Sequence, residues 1–177
     1  MKGVKQLLPL GGKSMLEVSL HNLEVSRVNE IVVVLGFAAQ RILPLLEGRE
    51  RVRVVINPRF REGMSTSIYY GLRAIDPKSK GVLIALADQP FIPPEVIDLL
   101  IEGFAKREKG IVLPLYQGRR GHPVVLDRAR YGGKLLELRG DVGAREIVAA
   151  HPEDVMEVEV TSPGAVSYTH LTLPTKA

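Results

Sequence analysis

The sequence predicts a doubly wound α/β domain with helices on both faces of a mostly parallel sheet. Two observations carry this: β-branched runs of strand length that show no polar alternation, and segments of helical spacing between them. The run Ile31-Val32-Val33-Val34-Leu35, between Glu30 and Gly36, is of the first kind. A strand so uniformly apolar is buried on both faces, which is the situation inside a parallel sheet. Upstream, over 14–27, Met15, Leu16, Leu20, Leu23 and Val25 fall at helical spacing behind Ser14, and Glu17 three residues on completes a capping box. The alternation then repeats as a helix near 38–47, a strand over 52–56, a helix near 64–75, a strand over 82–87, a helix over 94–107 and a strand over 111–115. Beyond 115 the rhythm changes to a Gly/Arg-rich loop over 117–121, a short strand over 122–126, helical segments near 127–137 and 141–150, and a last strand over 155–160.

At 177 residues the chain is of a size to form one domain around one core. It has no cysteine, which excludes disulfides, thiolate metal sites and a cysteine nucleophile and fits the cytosol. The apolar stretch after Met1-Lys2-Gly3-Val4-Lys5 is cut by Pro9 and Gly11-Gly12, too short for a signal peptide or a membrane span. The net charge is +4, with arginines bunched at 49, 51, 53, 59 and 61 and again at 119, 120, 128 and 130. That excess suits phosphorylated small ligands. Aromatics are 5% of the chain and tryptophan is absent, which argues against a nucleic-acid platform.

Several segments are candidates for chemistry. Asp88-Gln89-Pro90 follows the strand over 82–87, and ligands of open α/β sheets sit outside the carboxyl ends of strands. Asp88 there either holds Mg²⁺ against nucleotide phosphates or caps the helix that begins near Pro93-Pro94. Gly63, Ser65, Thr66 and Ser67 open a helix whose free N–H groups either bind an anion or a base edge, or are simply capped. Gly118-Arg119-Arg120-Gly121-His122-Pro123 places two guanidiniums and an imidazole on a turn, and Gly140-Asp141-Val142-Gly143-Ala144-Arg145 opens another helix as an anion site or an Asp cap. His122 is read either as a loop histidine or as a base. The four histidines have no zinc-like spacing. Lys5 and Lys13 flank Leu7-Leu8-Pro9-Leu10-Gly11-Gly12 and can neutralise triphosphate charge. A P-loop is excluded because Leu7 stands where its first glycine belongs.

Taken in order, Lys5 to Lys13, Asn57-Pro58 with Glu62-Gly63-Met64-Ser65-Thr66-Ser67-Ile68 and Gly71-Leu72, Leu86-Ala87-Asp88-Gln89-Pro90, Gly118 to Pro123 and Gly140 to Arg145 resemble the molybdenum cofactor cytidylyltransferase family. That family lies in the nucleotidyltransferase group which also holds the guanylyltransferase of the same pathway. The resemblance spans residues 1–164. It implies a Rossmann-like three-layer sandwich of nucleotidyltransferase type, and a Mg²⁺-dependent attack of a substrate phosphate on the α-phosphorus of CTP, with CMP transferred to molybdopterin and pyrophosphate released. By the same resemblance Asp88 holds the metal, Lys5 and Lys13 bind triphosphate oxygens, and Gly63, Ser65, Thr66 and Ser67 lie along base and ribose. Arg119, Arg120, His122, Asp141 and Arg145 face the acceptor. A molybdenum hydroxylase is an implied partner; nucleic acid and membrane are not. Guanylyl transfer, cytidylyl transfer to another phosphorylated acceptor, and a non-catalytic carrier of the cofactor remain open.

Two departures from the family pattern are expected to matter. Met1 aligns with the methionine of the family's phosphate loop, so that loop and the strand before it are missing, which predicts a slot in the core, low stability and little activity. From Val166 the chain reads Val-Ser-Tyr-Thr-His-Leu-Thr-Leu-Pro-Thr-Lys-Ala, like a translated sequencing adapter, where the family continues to a second metal-binding acid. Residues 165–177 are therefore expected to be a non-native tail, and His170 is no site candidate.

Overall fold

A computed structural model describes residues 4–166 of the chain. It opens with a 3-10 turn, Lys5–Leu7, and a two-residue hairpin of β1 (Pro9–Leu10) and β2 (Lys13–Ser14). Gly11 and Gly12 turn it with φ of 58° and 86°, the backbone that hairpin turns of this length demand. The capping box then starts α1 (Met15–Val25): Ser14 Oγ accepts from the Glu17 amide and the Ser14 amide donates to the Glu17 carboxylate at 2.7 Å. The backbone bond from Ser14 leads in holding the Glu17 carboxyl below its ordinary pKa.

β3 (Ile31–Leu35) and β4 (Val52–Ile56) pair in parallel, joined through α2 (Ala39–Ile42) and a 3-10 turn, Leu43–Leu45. α3 (Met64–Ala74), β5 (Gly81–Ile84), α4 (Pro94–Ala105) and β6 (Ile111–Tyr116) follow. The last third comprises β7 (Arg119–Arg120), β8 (Val124–Asp127), α5 (Arg128–Glu137), α6 (Ala144–Ala150) and β9 (Val155–Glu159). β5, β8 and β6 lie side by side, β7 folds back on β6, and β9 pairs with β6.

The α/β alternation is as the sequence predicts, but the sheet is more mixed. β8 runs antiparallel to both β5 and β6, while β9 is parallel to β6. β5 ends at Ile84, opposite Val124 at the start of β8 and earlier than its apolar run. The period of two divides the core. Ile111, Leu113, Val124 and Leu126 face α5 and α6 residues such as Tyr131, Leu135 and Ile147, whereas Val112 and Val125 face Val96, Ile97 and Leu100 of α4. Helices thus cover both faces, giving three layers. Among the described residues no helix is long and apolar enough to cross a membrane.

β3 and β5 share no ladder. Between them lies a cavity of about 1050 Å³, lined by residues of both strands and of α1, α3 and α4. The amino ends of the two strands are adjacent, since the Glu30 carboxylate accepts from the Asp76 amide and from Ser79 Oγ. β3 and β5 therefore run in the same direction.

Two tertiary contacts fix the last third of the chain. Asp154 accepts from the Gly110 amide at 3.0 Å, from Arg130 and from the Tyr131 hydroxyl at 2.5 Å, tying α5 to the start of β6 and β9. Burial on its own would raise the Asp154 pKa, but these hydrogen bonds outweigh it and hold the carboxyl below its ordinary value. Burial and the same carboxylate raise the Tyr131 phenol. The second contact brings Gly140 against Gly63. A Cβ on Gly63, whose φ is 112°, would lie 2.4 Å from the Gly140 carbonyl.

Asp154→Asn is expected to destabilise the chain by about 2 kcal/mol at pH 7. A carboxyl with a depressed folded pKa stabilises above its unfolded value of about 3.9 and stops doing so as pH falls through the folded one. Urea titrations should therefore show the variant losing less stability than the parent below about pH 4. In the same assay Gly63→Ala should cost roughly 2–4 kcal/mol from overpacking and a strained backbone. Gly133→Ala, in open space on α5, should stabilise by about 0.5–1 kcal/mol.

Candidate active site

The site is built on the segment that leaves β5. α1 holds this segment through polar side chains on its inner face: Ser19 Oγ donates to Ala87 O at 3.3 Å, and Asn22 Nδ2 donates to Pro90 O and Ile92 O, each at 3.0 Å. The loop is thereby fixed with Asp88 partly exposed at its tip. Asp88 does not cap α4, whose N-cap is Pro93 with no side-chain capping bond. It accepts instead from Lys5 Nζ at 3.0 Å, with the lysine side chain 62% and the aspartate 32% exposed. An exposed ion pair of this kind adds little to stability. What it does is set a cation and a carboxylate side by side at the carboxyl edge of the sheet.

His122 completes this group. Its amide donates to Ala165 O at 2.8 Å, and its Nδ1 is buried without a partner. Burial foremost, then the Arg145 guanidinium, hold the imidazole below its ordinary pKa, and Asp88 acts against them. The ring is therefore neutral at pH 7 and lies within the fields of both Asp88 and Arg145. Sequence positions 5, 88, 122 and 145 are thus gathered in one place.

The remaining candidates have other partners. Arg120 Nε donates to Glu157 on β9 at 2.6 Å, and both Arg119 and Arg120 of the β7 turn are exposed. Asp141 does not cap its own helix α6, whose N-cap is Gly143 with no side-chain bond; it accepts from the Met64 amide at 3.2 Å and so caps α3. The Ser65 amide donates to Gly140 O at 3.3 Å. The first N–H groups of α3, read from sequence as an anion or base-edge site, are in this way taken by the 140–141 turn, and Gly63 is small to admit that turn. Ser65 and Thr66 are buried. Thr66 Oγ1 accepts from Asn57 Nδ2 at 2.9 Å and donates to backbone carbonyls, while Ser67 Oγ accepts from the same amide at 3.0 Å. Lys13 lies exposed on β2, near enough to Glu17 to lower its pKa.

Sequence reading gave no role to Ser19, Asn22, Gln89, Asn57 or Glu157. Asn57 and Gln89 stood inside quoted motifs, and their polarity in an apolar context was the available signal. Ser19 and Asn22 reach across 68 to 70 residues, and nothing local announces them.

Among the described residues no three His, Asp or Glu side chains converge on a common point. A single exposed carboxylate nevertheless suits Mg²⁺, which is ordinarily held by one or two carboxylates together with substrate phosphates. The tail from Ser167 onward, with His170, lies outside the described residues.

Nicotine blue oxidoreductase of Paenarthrobacter nicotinovorans is 30% identical over 158 residues, covering 85% of this chain and 76% of that protein. The molybdenum cofactor cytidylyltransferase of Escherichia coli K12 is 23% identical over 124 residues, covering 70% of this chain and 62% of that protein. The crystal structure of Rv0371c from Mycobacterium tuberculosis H37Rv superposes with a TM-score of 0.79 at 25% identity, covering 90% of this chain and 80% of that one. Rv0371c has also been crystallised as a complex with manganese. The family described as the MobA-like NTP transferase domain matches residues 1–155, and the chain belongs to that family.

Proposed function

We propose that this nucleotidyltransferase moves CMP from CTP to a molybdopterin-type acceptor with release of pyrophosphate. The observation that carries the reading is the grouping of Lys5, Asp88, His122 and Arg145 at the carboxyl edge of the sheet. It is supported by the similarity to a cytidylyltransferase and by the ordered segments quoted above.

Asp88 is the residue to hold Mg²⁺; when bound, the ion supplies charge neutralisation on the triphosphate. Lys5, displaced from Asp88 by a cation, has its ammonium free for phosphate oxygens, and Lys13 adds a second positive charge on the same amino-terminal segment. Arg119 and Arg145 offer guanidiniums to the acceptor's phosphate. Neutral His122 is able to accept a hydrogen bond or a proton from it. Arg120 positions the β7 turn through Glu157, and Asp141 positions α3. Displacement at phosphorus needs no protein nucleophile, so the residues act by orientation and charge. A second reading, a redox role, is favoured only by the name of the oxidoreductase relative.

The decisive assay is pyrophosphate release from CTP and from GTP with Mg²⁺ and acceptor, on the chain extended at its amino end by the strand and loop that the resemblance implies. CTP-dependent release, reduced roughly 100-fold or more in Asp88→Asn, is the expected result. Release with GTP alone reassigns the nucleotide. No release with either nucleotide, from a folded protein, overturns the reading. A second expectation concerns the imidazole: proton NMR in metal-free buffer should find His122 titrating below the usual value of about 6.5. Arg145→Gln should raise that midpoint and Asp88→Asn should lower it further.

A further inference from the structure

The 3-10 turn Pro163–Ala165 lies between the two sides of the candidate site. One side is the loop after β5, which carries Asp88 three residues ahead of Phe91 and which Asn22 of α1 holds at Pro90 and Ile92. The other side is the turn of Gly121 and His122, fastened to β6 where the Gly121 amide donates to Pro114 O at 2.9 Å. The chain comes off β9 with the Val160 amide donating to Leu115 O at 2.9 Å, and the 3-10 turn then enters between the two sides.

Its contacts with both are backbone against backbone. A Cβ on Gly164 would lie 1.8 Å from Phe91 O, and a Cβ on Gly121 would lie 1.9 Å from Ala165 O. The same Ala165 oxygen accepts from the His122 amide at 2.8 Å. Neither Gly121 nor Gly164 has a positive φ, so conformational freedom is not what glycine supplies at these two positions. What each supplies is the space of a missing side chain. Ala165 is fully buried in the cluster that includes Ile92, Val96 and Val160, which fastens the turn at its base. Three backbone segments, at 91, at 164–165 and at 121–122, are thus stacked in contact. The gap between the Asp88 loop and the His122 turn is one polypeptide wide.

We infer that the Pro163–Ala165 turn is a spacer that sets the separation of Asp88 from His122, with Gly164 and Gly121 as positioning residues for the transfer. The consequence for catalysis rests on the nucleotidyl-transfer reading, in which Asp88 serves the metal and triphosphate and His122 the acceptor. A Cβ at Gly164 has to part the turn from Phe91 by roughly 1 Å or more, and a misplacement of that size between reacting groups costs about 100-fold in rate. Each substrate still meets its own side of the site, so the loss falls on kcat and not on KM.

The spacing itself is measurable without turnover. The chain has no cysteine, so Asp88→Cys gives a single attachment point for a nitroxide label, whose distance from the His122 ring is read as broadening in proton NMR. Adding Gly164→Ala to the labelled chain is expected to change that broadening, whereas Gly133→Ala, in open space on α5, leaves it as it was. In the pyrophosphate assay, with Asp88 intact, Gly164→Ala and Gly121→Ala are expected to lower kcat about 100-fold and to leave the KM for CTP within about twofold. Ala165→Gly removes one buried methyl and introduces no clash; it should show both effects in smaller measure, and it decides the matter if the bulkier variants do not fold. Unchanged broadening in the folded variants overturns the proposal, since the glycines then serve packing alone. A kcat equal to the parent's also overturns it. A parent that releases no pyrophosphate sinks the nucleotidyl-transfer reading instead, and the label alone then decides whether the turn is the spacer.

Discussion

Side chains, not a backbone ladder, join the two halves of this molecule. β3 and β4 form one sheet and β5 to β9 another, and the structure connects them chiefly through α1 and α3. The Asn22 amide, bonded to two carbonyls of the loop after β5, is one of these ties, supported by Arg27 reaching Asp98 and Glu102 on α4. The position of Asp88 depends on it, because the loop carrying Asp88 has left the ladder by Ile84. The geometry of the candidate site is therefore set by one helix held at its start by Ser14 and Glu17.

The elements that could be read from sequence are those whose cause is local. The α1 capping box involves residues three apart, and β3 and β4 are short runs rich in β-branched residues, β4 carrying Arg53 among them, so their bounds agree with expectation to within one residue. α6 shows the opposite. Asp141 before an apolar segment reads as its cap, yet the helix starts only at Ala144, because the aspartate is used by α3, 77 residues away. The reversed direction of β8 could not be seen in a four-residue run that is buried whichever way it points.

The site was legible in composition more than in contact. Lys5, Asp88, His122 and Arg145 stood in separate segments, and order along the chain alone suggested that they meet. Gly63, Ser65 and Thr66 looked like a ligand-binding helix mouth because small and hydroxylated residues suit either a ligand or a tightly packed turn. In the structure their polar groups are engaged by Asn57, Gly140 and neighbouring carbonyls.

The plugging of α3 by the 140–141 turn also bears on how the molecule can deform. A hinge that swung α6 and β9 outward would withdraw the Gly140 carbonyl and the Asp141 carboxylate from the first amides of α3, exposing a helix end 77 residues upstream. Motion in the last third of the chain is thus geared to the segment that follows β4. The two should move as one body, with any flexing displaced to the loop after β5 and to the β7 turn.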